Sequence, residues 1–389
     1  MRYSAAFAAL LFALAGCGGD EEPLALPEEE YVLVVTDSLG VEIGEEEYMF
    51  AGPLYSARSP SGEIAVIDMM KHSVMFFSEE GEYLLTAGDE GEGPGQFQYP
   101  SNLNFFPDGG FLVRDSRGVH MFDANHDFVE RHLWDSYNTP VPVRVLEDGG
   151  FAGIQQSMDT SDGNMMFTIR VGKWLPGEQD PEVEYFSREF EFRPNPGVLD
   201  DTENRGRNIY ACATGDGRVF CAISSIDEFR IWCFEPDGTE YLVIEDESIG
   251  RTAKTPEELD DELDDRTSMF RHFSGDPNRE LPEIRLDPYR HTIRSIFTDG
   301  GDRLWVRLGS YPGAVFRVYD TDGEVLFHAK LDRDCDPVEL NHWAVHCSGY
   351  GFTATNTSTR NVQKVYLLEL RPASSHNAGE TLSRLSFRP

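Results

Sequence analysis

The sequence predicts an all-β fold built from six four-stranded antiparallel units. Three observations carry that prediction. A pattern of turn, short apolar strand, gap, further strand and second turn recurs at residues 59–88, 106–134, 214–245 and 298–331, with weaker copies at 146–171 and 347–370. Asp-Gly and Gly-Gly pairs mark the turns and supply the positive φ angles of tight hairpins, between runs rich in Val, Ile, Phe, Trp and Tyr that suit a half-buried pleated surface. The third strand of a unit ends on an aromatic and then a polar residue: Phe77-Ser78, Phe122-Asp123, Phe234-Glu235, Tyr319-Asp320. One such sheet cannot bury both its faces alone. Stacking the units radially solves that problem, so the expected architecture is a six-bladed β-propeller.

In chain order, residues 1–16 read as a signal peptide outside the fold. Arg2 supplies the positive start, and Ala5 to Leu14 form an apolar stretch too short for an ordinary membrane span. The segment closes on Leu14-Ala15-Gly16-Cys17, which resembles the lipobox of bacterial lipoproteins. The resemblance implies cleavage before Cys17 and acylation of that residue, which would hold the protein on a bilayer at about 0.8 kcal/mol per buried methylene. Gly18, instead of Asp, follows the acylated residue. In bacteria with two membranes this points to the outer membrane, with the protein facing the periplasm or the cell surface. Residues 17–30 form a polar, acidic tether carrying Pro23 and Pro27. The run YVLVVTDSLGVEI at 31–43 precedes the first full unit and is placed to pair into the last one, closing the ring and removing exposed strand edges. The propeller is expected over residues 31–371, with a C-terminal tail at 372–389.

The stretch DEGEGPGQFQYP (89–100) follows a strand as a phosphate loop would. Gln96 stands where the last glycine of such a loop belongs, no Lys-Ser/Thr follows, and Asp89, Glu90 and Glu92 would repel a phosphate. It therefore reads as the bridge between one blade and the next. The longer run GEGPGQFQYPSNLNFFPDGGFLVRDSRGVHMFDANHDF resembles the six-bladed propellers related to NHL repeats. There a Gly-Pro-Gly-x-Phe link leads to a Pro, a Pro-Asp-Gly turn and a Val-x-Asp strand. One insertion breaks the rhythm: a helix around 255–273, with Thr255 as N-cap, Pro256 at the first helical position and Glu258 completing a capping box. Leu259, Leu263, Phe270 and Phe273 define its expected buried stripe, and its acidic face is expected in solvent. The segment around 173–197 is long and irregular, as insertions that shape a binding rim often are.

A formal charge of −36, from 69 acidic residues against 33 basic ones, repels nucleic acid and anionic lipid and argues against both as partners. Five cysteines remain after Cys17, and outside the cytoplasm they can form disulfides. Cys335 with Cys347 is the first candidate pair, and Cys212 with Cys221 the second. No Cys-x-x-Cys occurs, and His342 and His346 lack the Glu of a zinc-protease helix, so no metal site is assigned. The turn DTSDGN (159–164) lacks the residue pattern of a calcium loop.

Propeller ligands generally meet the channel mouth. The candidate ligand-binding residues there are Arg58, Gln98, Tyr99, Asn102, Arg144, Tyr289, Arg290 and His291, a set of arginines and aromatics suited to anion, peptide or sugar contacts. There is no Gly-x-Ser-x-Gly elbow, and no Ser, His and Asp set can be assembled from spacing, so no catalytic residue is assigned. The expected function is a non-catalytic binding or scaffold module, monomeric and tethered to the cell envelope, for a protein, peptide or glycan. The alternative is a hydrolase or lyase of the calcium-dependent propeller type, with calcium as its cofactor held at the channel mouth by carboxylates and Asn from separate blades.

Overall fold

Each repeat folds as a meander whose strands are joined by the Gly-bearing turns. The computed structural model describes residues 30–375 apart from 53, 135–137, 161–164, 193–196, 275–279, 312, 333–338 and 357–361. The signal peptide, Cys17, most of the tether, Cys335 and the end of the 159–164 turn lie outside the described residues.

A first strand, β1 (Tyr31–Leu39), precedes β2 (Leu54–Arg58), β3 (Ile64–Asp68), β4 (Ser73–Phe77) and β5 (Tyr83–Ala87). Next come β6 (Asn102–Phe105), β7 (Phe111–Asp115), β8 (Gly118–Phe122) and β9 (Phe128–Leu133), then β10 (Val141–Val145), β11 (Phe151–Asp159), β12 (Met165–Trp174) and β13 (Val183–Phe192). A short strand β14 (Val198–Asp200) leads to β15 (Ile209–Ala213), β16 (Val219–Ile223), β17 (Arg230–Phe234) and β18 (Glu240–Glu245). The insertion holds β19 (Thr252–Ala253), the helix α1 (Pro256–Ser274), β20 (Glu283–Arg285) and β21 (Tyr289–Arg290). The chain closes with β22 (Ile293–Thr298), β23 (Leu304–Leu308), β24 (Val315–Tyr319), β25 (Val325–Asp332), β26 (Trp343–Cys347), β27 (Phe352–Asn356) and β28 (Val365–Pro372).

Four four-stranded sheets, β2–β5, β6–β9, β10–β13 and β15–β18, are antiparallel meanders. The remaining long strands form one eight-stranded sheet in the order β22-β23-β24-β25-β1-β28-β27-β26. The N-terminal strand pairs antiparallel with β28, with Val34 opposite Glu369, as its position in the sequence suggested. Its second edge was not foreseen: β1 also pairs in parallel with β25, with Tyr31 opposite Ala329. The first strands β2, β6, β10, β15, β22 and β26 touch in turn, and β26 returns to β2. The result is an all-β, propeller-like arrangement. Its apolar clusters lie between neighbouring sheets, as radial stacking requires. Phe76, Phe97 and Phe111 fill one junction, and Leu39, Val365 and Leu367 meet Ile64, Val66 and Phe77 where the last sheet reaches the first.

The link from β5 to β6 shows how the junctions are built. Phe97 is fully buried in the core between the two sheets. Gly88, at φ +76°, lies so close that a Cβ there would stand 2.3 Å from the Phe97 ring, which excludes any side chain. Asp115, the end of the Val-x-Asp strand, accepts the backbone N–H groups of Gln98 and Tyr99 at 3.2 and 2.6 Å. Asp68 plays the corresponding part at the end of β3 by accepting the Ala51 N–H at 2.7 Å. The acidic Gly-Pro stretch is thus a link closed by a buried carboxylate, with no phosphate cradle.

Two expectations are corrected. Cys212 faces Phe220 across the β15–β16 ladder while Cys221 faces Ala211, so their side chains point to opposite faces of the sheet and into different cores. Both are free thiols, which excludes a bridge between them; Cys347 is also free. The helix is rotated away from its expected stripe, of which Leu259 and Phe270 are half-buried. Leu263 is 40% exposed, whereas Glu258 and Asp265 are 7% and 9% exposed, so carboxylates face the propeller. The side chain of Phe273 lies outside the described residues. The capping box is as expected: the Thr255 hydroxyl accepts the Glu258 N–H at 3.2 Å and the Glu258 carboxylate accepts the Thr255 N–H at 2.9 Å.

Candidate functional site

The ring of first strands encloses a cavity of about 380 Å³. Tyr55 of β2, Asn102 and Asn104 of β6, Arg144 of β10, Cys212 of β15 and the lengths of β22 and β26 contribute to its wall. Burial moves the titratable side chains of this lining, the arginines apart, further towards their neutral forms. It pushes the Tyr55 phenol up to about 12 and the Cys347 thiol up to about 11, and it holds the His346 imidazole down at about 4. The charge in the wall is positive. Among the described residues that line the cavity there is no Asp or Glu, while Arg144, Arg294 and Arg307 all reach it.

Backbone irregularity aims two of these arginines. The β22–β23 register slips between Ile293 and Ser295, which leaves Arg294 as the extra residue of a bulge. Ile293 still packs in the core, and Arg294 is thrown into the channel. It is open to the cavity yet surrounded by protein; the burial lowers its pKa from the usual arginine value, while Tyr210, Glu262 and Glu258 act in the opposite direction. Its Nη1 donates to the Asn341 side-chain oxygen at 3.0 Å. A second slip, between Pro142 and Arg144 in β10, precedes Arg144 at the far end of the channel. There its guanidinium lies against Gly349, where φ is +89° and a Cβ would come within 2.5 Å of it, and 3.9 Å from Asp302. Arg307 is 5% exposed and donates to the Trp343 and Gly313 carbonyls. Burial brings its pKa down to about 9, so it remains a cation at neutral pH.

A second cavity of about 370 Å³ lies between α1 and the mouth of the channel. Arg294 and Asn341 line both spaces and stand where they meet. The helix is strapped over this vestibule by its acidic face. Glu258 takes two bonds from Arg290, Nε at 3.0 Å and Nη2 at 2.5 Å, and Asp261 lies 2.5 Å from His342 Nε2. Lys254 bonds Glu262 at 2.5 Å, and Arg266 reaches back to Asp201 at 3.2 Å. Burial by itself would raise the Glu258 pKa, but Arg290 and the Thr255 N–H hold it below the usual carboxylate range. Asp287 behaves alike, its burial outweighed by Arg205, which bonds it at 2.6 and 2.8 Å. His291 sits 3.1 Å from the Ser224 hydroxyl, and burial lowers its pKa.

The structure divides the residues singled out in the sequence. Tyr289, Arg290 and His291 line the vestibule; Asn102 and Arg144 line the inner cavity. Arg58 lies at the opposite end of its strand from the loop leading into it, packed on Gly351 and 3.8 Å from Glu79. Gln98 and Tyr99 line neither cavity: the Gln98 amide bonds Glu92 at 2.8 Å, and Tyr99 is 57% exposed over the blade link. His342 ends a 3₁₀ turn at Glu339–His342 and holds the helix, whereas His346 is on β26. Sequence reading missed Arg294, Asn341 and the inward acidic face of α1. Arg294 stands three residues after His291, yet only the bulge turns it inward.

No protein-family model matches the sequence, and no curated protein sequence does. Solved structures of β-propeller proteins are similar in arrangement. A member of the DUF4221 family from Bacteroides vulgatus is 10% identical, covers 89% of this chain and 100% of its own, and superimposes with a TM-score of 0.41. Virginiamycin B lyase from Staphylococcus aureus is 10% identical, with coverage of 90% of each chain and a TM-score of 0.38. The calcium-binding protein regucalcin from Agrobacterium tumefaciens is 9% identical, covers 87% of this chain and 92% of its own, and gives 0.38. At these values none of them lends an activity or a ligand to this chain.

Proposed function

We propose that the chain is a six-bladed β-propeller, held by a lipid on Cys17 in the bacterial cell envelope, that binds a ligand through its channel mouth without transforming it. The blade count takes the four separate sheets with the two halves of the eight-stranded one, β22–β25 and β26–β28 completed by β1. The observation that carries the binding reading is the pair of spaces, about 370 and 380 Å³, that meet at Arg294 and Asn341. Each is the size of a small-molecule pocket and too small for a folded domain. A peptide end or a few sugar units fits that volume. The titratable groups of the vestibule support a non-catalytic role, since Glu258, Asp261 and Asp287 are each engaged by a cation or a histidine.

The calcium-dependent alternative needs several oxygen ligands, carboxylates foremost, converging on one point. The described lining of the inner cavity offers arginines in their place, and the described residues contain no group of three or more His, Cys, Asp or Glu placed to hold a metal ion. The vestibule at the mouth does carry carboxylates, but Glu258, Glu262 and Asp287 are bonded there to Arg290, Lys254 and Arg205, which weighs against their serving a calcium ion.

The test is a thermal-shift screen of the mature protein against short peptides and oligosaccharides, repeated on Met269→Trp, which fills the vestibule from α1. At least one ligand should raise the melting temperature of the wild type and not of the variant. No stabilising ligand, or equal stabilisation of both, refutes the reading. The anchor is tested separately by fatty-acid labelling in a bacterial host, where incorporation should disappear in Cys17→Ala.

A further inference from the structure

The inner cavity contradicts the charge of the molecule that surrounds it. The chain carries −36, yet the described lining of this space has no carboxylate and three arginines. We propose that the inner cavity is a carboxylate-binding site, with Arg294 as its principal anion contact and Arg144 as a second cation at the far end. This rests on the binding reading above and names the chemistry of the ligand.

Three observations support it. Arg294 is the bulged residue of β22, so a break in the ladder is spent on directing its guanidinium into the channel. Its hydrogen bond goes to the neutral amide of Asn341, which leaves most of its five N–H donors for another acceptor; Glu258 and Glu262 act on it from the vestibule side, but their own bonds go to Arg290 and Lys254. Arg144 also faces the channel, beside Gly349, whose φ of +89° favours glycine, with Asp302 3.9 Å away and 42% exposed, a weak counter-ion. The Asn104 amide is used inside the wall, donating to Asn102 Oδ1 and the Pro142 carbonyl at 2.8 and 3.1 Å, so the arginines are what favour an oxyanion and oppose a metal cation. Where protein walls screen a guanidinium in part from water, it attracts a carboxylate more strongly than on the open surface, and planar bidentate pairing gives the contact direction.

Two sources present such a group: the free C-terminus of a peptide and the uronic acid of a glycan. The experiment separates them. Isothermal titration of the mature protein with trialanine, trialanine amide, digalacturonate and lactose compares each carboxylate with a neutral counterpart. The expected result is that one carboxylate probe binds at least about tenfold more tightly than its neutral partner. Arg294→Gln, which keeps an amide donor for Asn341, should remove that preference by a similar factor while the melting temperature holds. Arg144→Gln serves as the second variant should Arg294→Gln fail to fold, and it too should weaken the carboxylate probe. The identity of the probe that binds assigns the source. Binding of neither carboxylate up to millimolar concentration overturns the inference, as does equal binding by the neutral partners or by Arg294→Gln. A ligand from the thermal-shift screen that Met269→Trp blocks, but that is indifferent to Arg294→Gln, overturns the carboxylate site and leaves the binding reading standing.

Discussion

Removing Arg290 should free the helix from the channel mouth without unfolding the blades. Arg290→Met deletes both bonds to Glu258 and the bond from Nη1 to the Ser310 carbonyl at 3.2 Å. It leaves Glu258, 7% exposed, as a buried carboxylate with only the capping N–H of Thr255. Breaking one side of a buried pair costs about 3–5 kcal/mol. The helix has an escape that a core residue lacks: it can lift off, so the cost is limited to the free energy that docks it. Hydrogen exchange is the assay. A loss of 3 kcal/mol corresponds to about 100-fold faster exchange along α1, with β22–β25 unchanged and the global transition hardly moved. Glu258→Gln combined with Arg290→Met should recover part of the protection, because the stranded charge is gone. Acid should imitate the single substitution. The native pKa of Glu258 lies below its unfolded value of 4.5, so its contribution is complete above that value and is lost as the pH falls through the native pKa. Unchanged protection in α1, or an equal loss in α1 and the blade strands, refutes the strap.

Two further outcomes are expected. His120 is fully buried beside Phe97 and Phe128, and burial outweighs Asp115 to hold its pKa at about 4. The unfolded chain therefore takes up a proton near pH 6.5 that the native protein refuses, and stability falls from pH 6.5 towards 4, by on the order of 3 kcal/mol for this residue. Urea denaturation of His120→Phe at stepped pH should show a flatter slope than wild type over that window; an identical slope contradicts the assignment. Phe97→Ala empties the junction between the first two sheets and should cost about 3–5 kcal/mol in the same assay. A loss below about 1 kcal/mol would mean that the link is not a packing element.

Much of the scaffold was legible because its signals are local. A hairpin is specified by Asp-Gly or Gly-Gly between two apolar runs, and the capping box at Thr255 by residues three apart. The closing role of residues 31–39 followed from arithmetic over the chain, since a strand left ahead of the first unit must pair with the last. The site was legible only in outline. Tyr289, Arg290 and His291 line the vestibule because they flank a first strand. Arg58 and Arg144 were misplaced along the channel, because the loop leading into a strand and the strand's far end differ by one short element.

The helix marks the boundary most clearly. Its existence, its start and its composition are written in the residues of 255–273. Its orientation is not, because Leu263 offers ordinary hydrophobic burial while Glu258, Asp261 and Asp265 gain partners only where Arg290 and His342 happen to stand. Those partners come from chain segments some 30 to 80 residues away, so the choice between faces is made by the assembled propeller. The same holds for Arg294: alternation along a strand is local, but a bulge is a property of two strands in register. Sequence alone determined the repeats, the turns and the strand that joins the ends. Tertiary structure decided which charges meet, because charge pairing depends on distance in space and turns and alternation depend on distance along the chain.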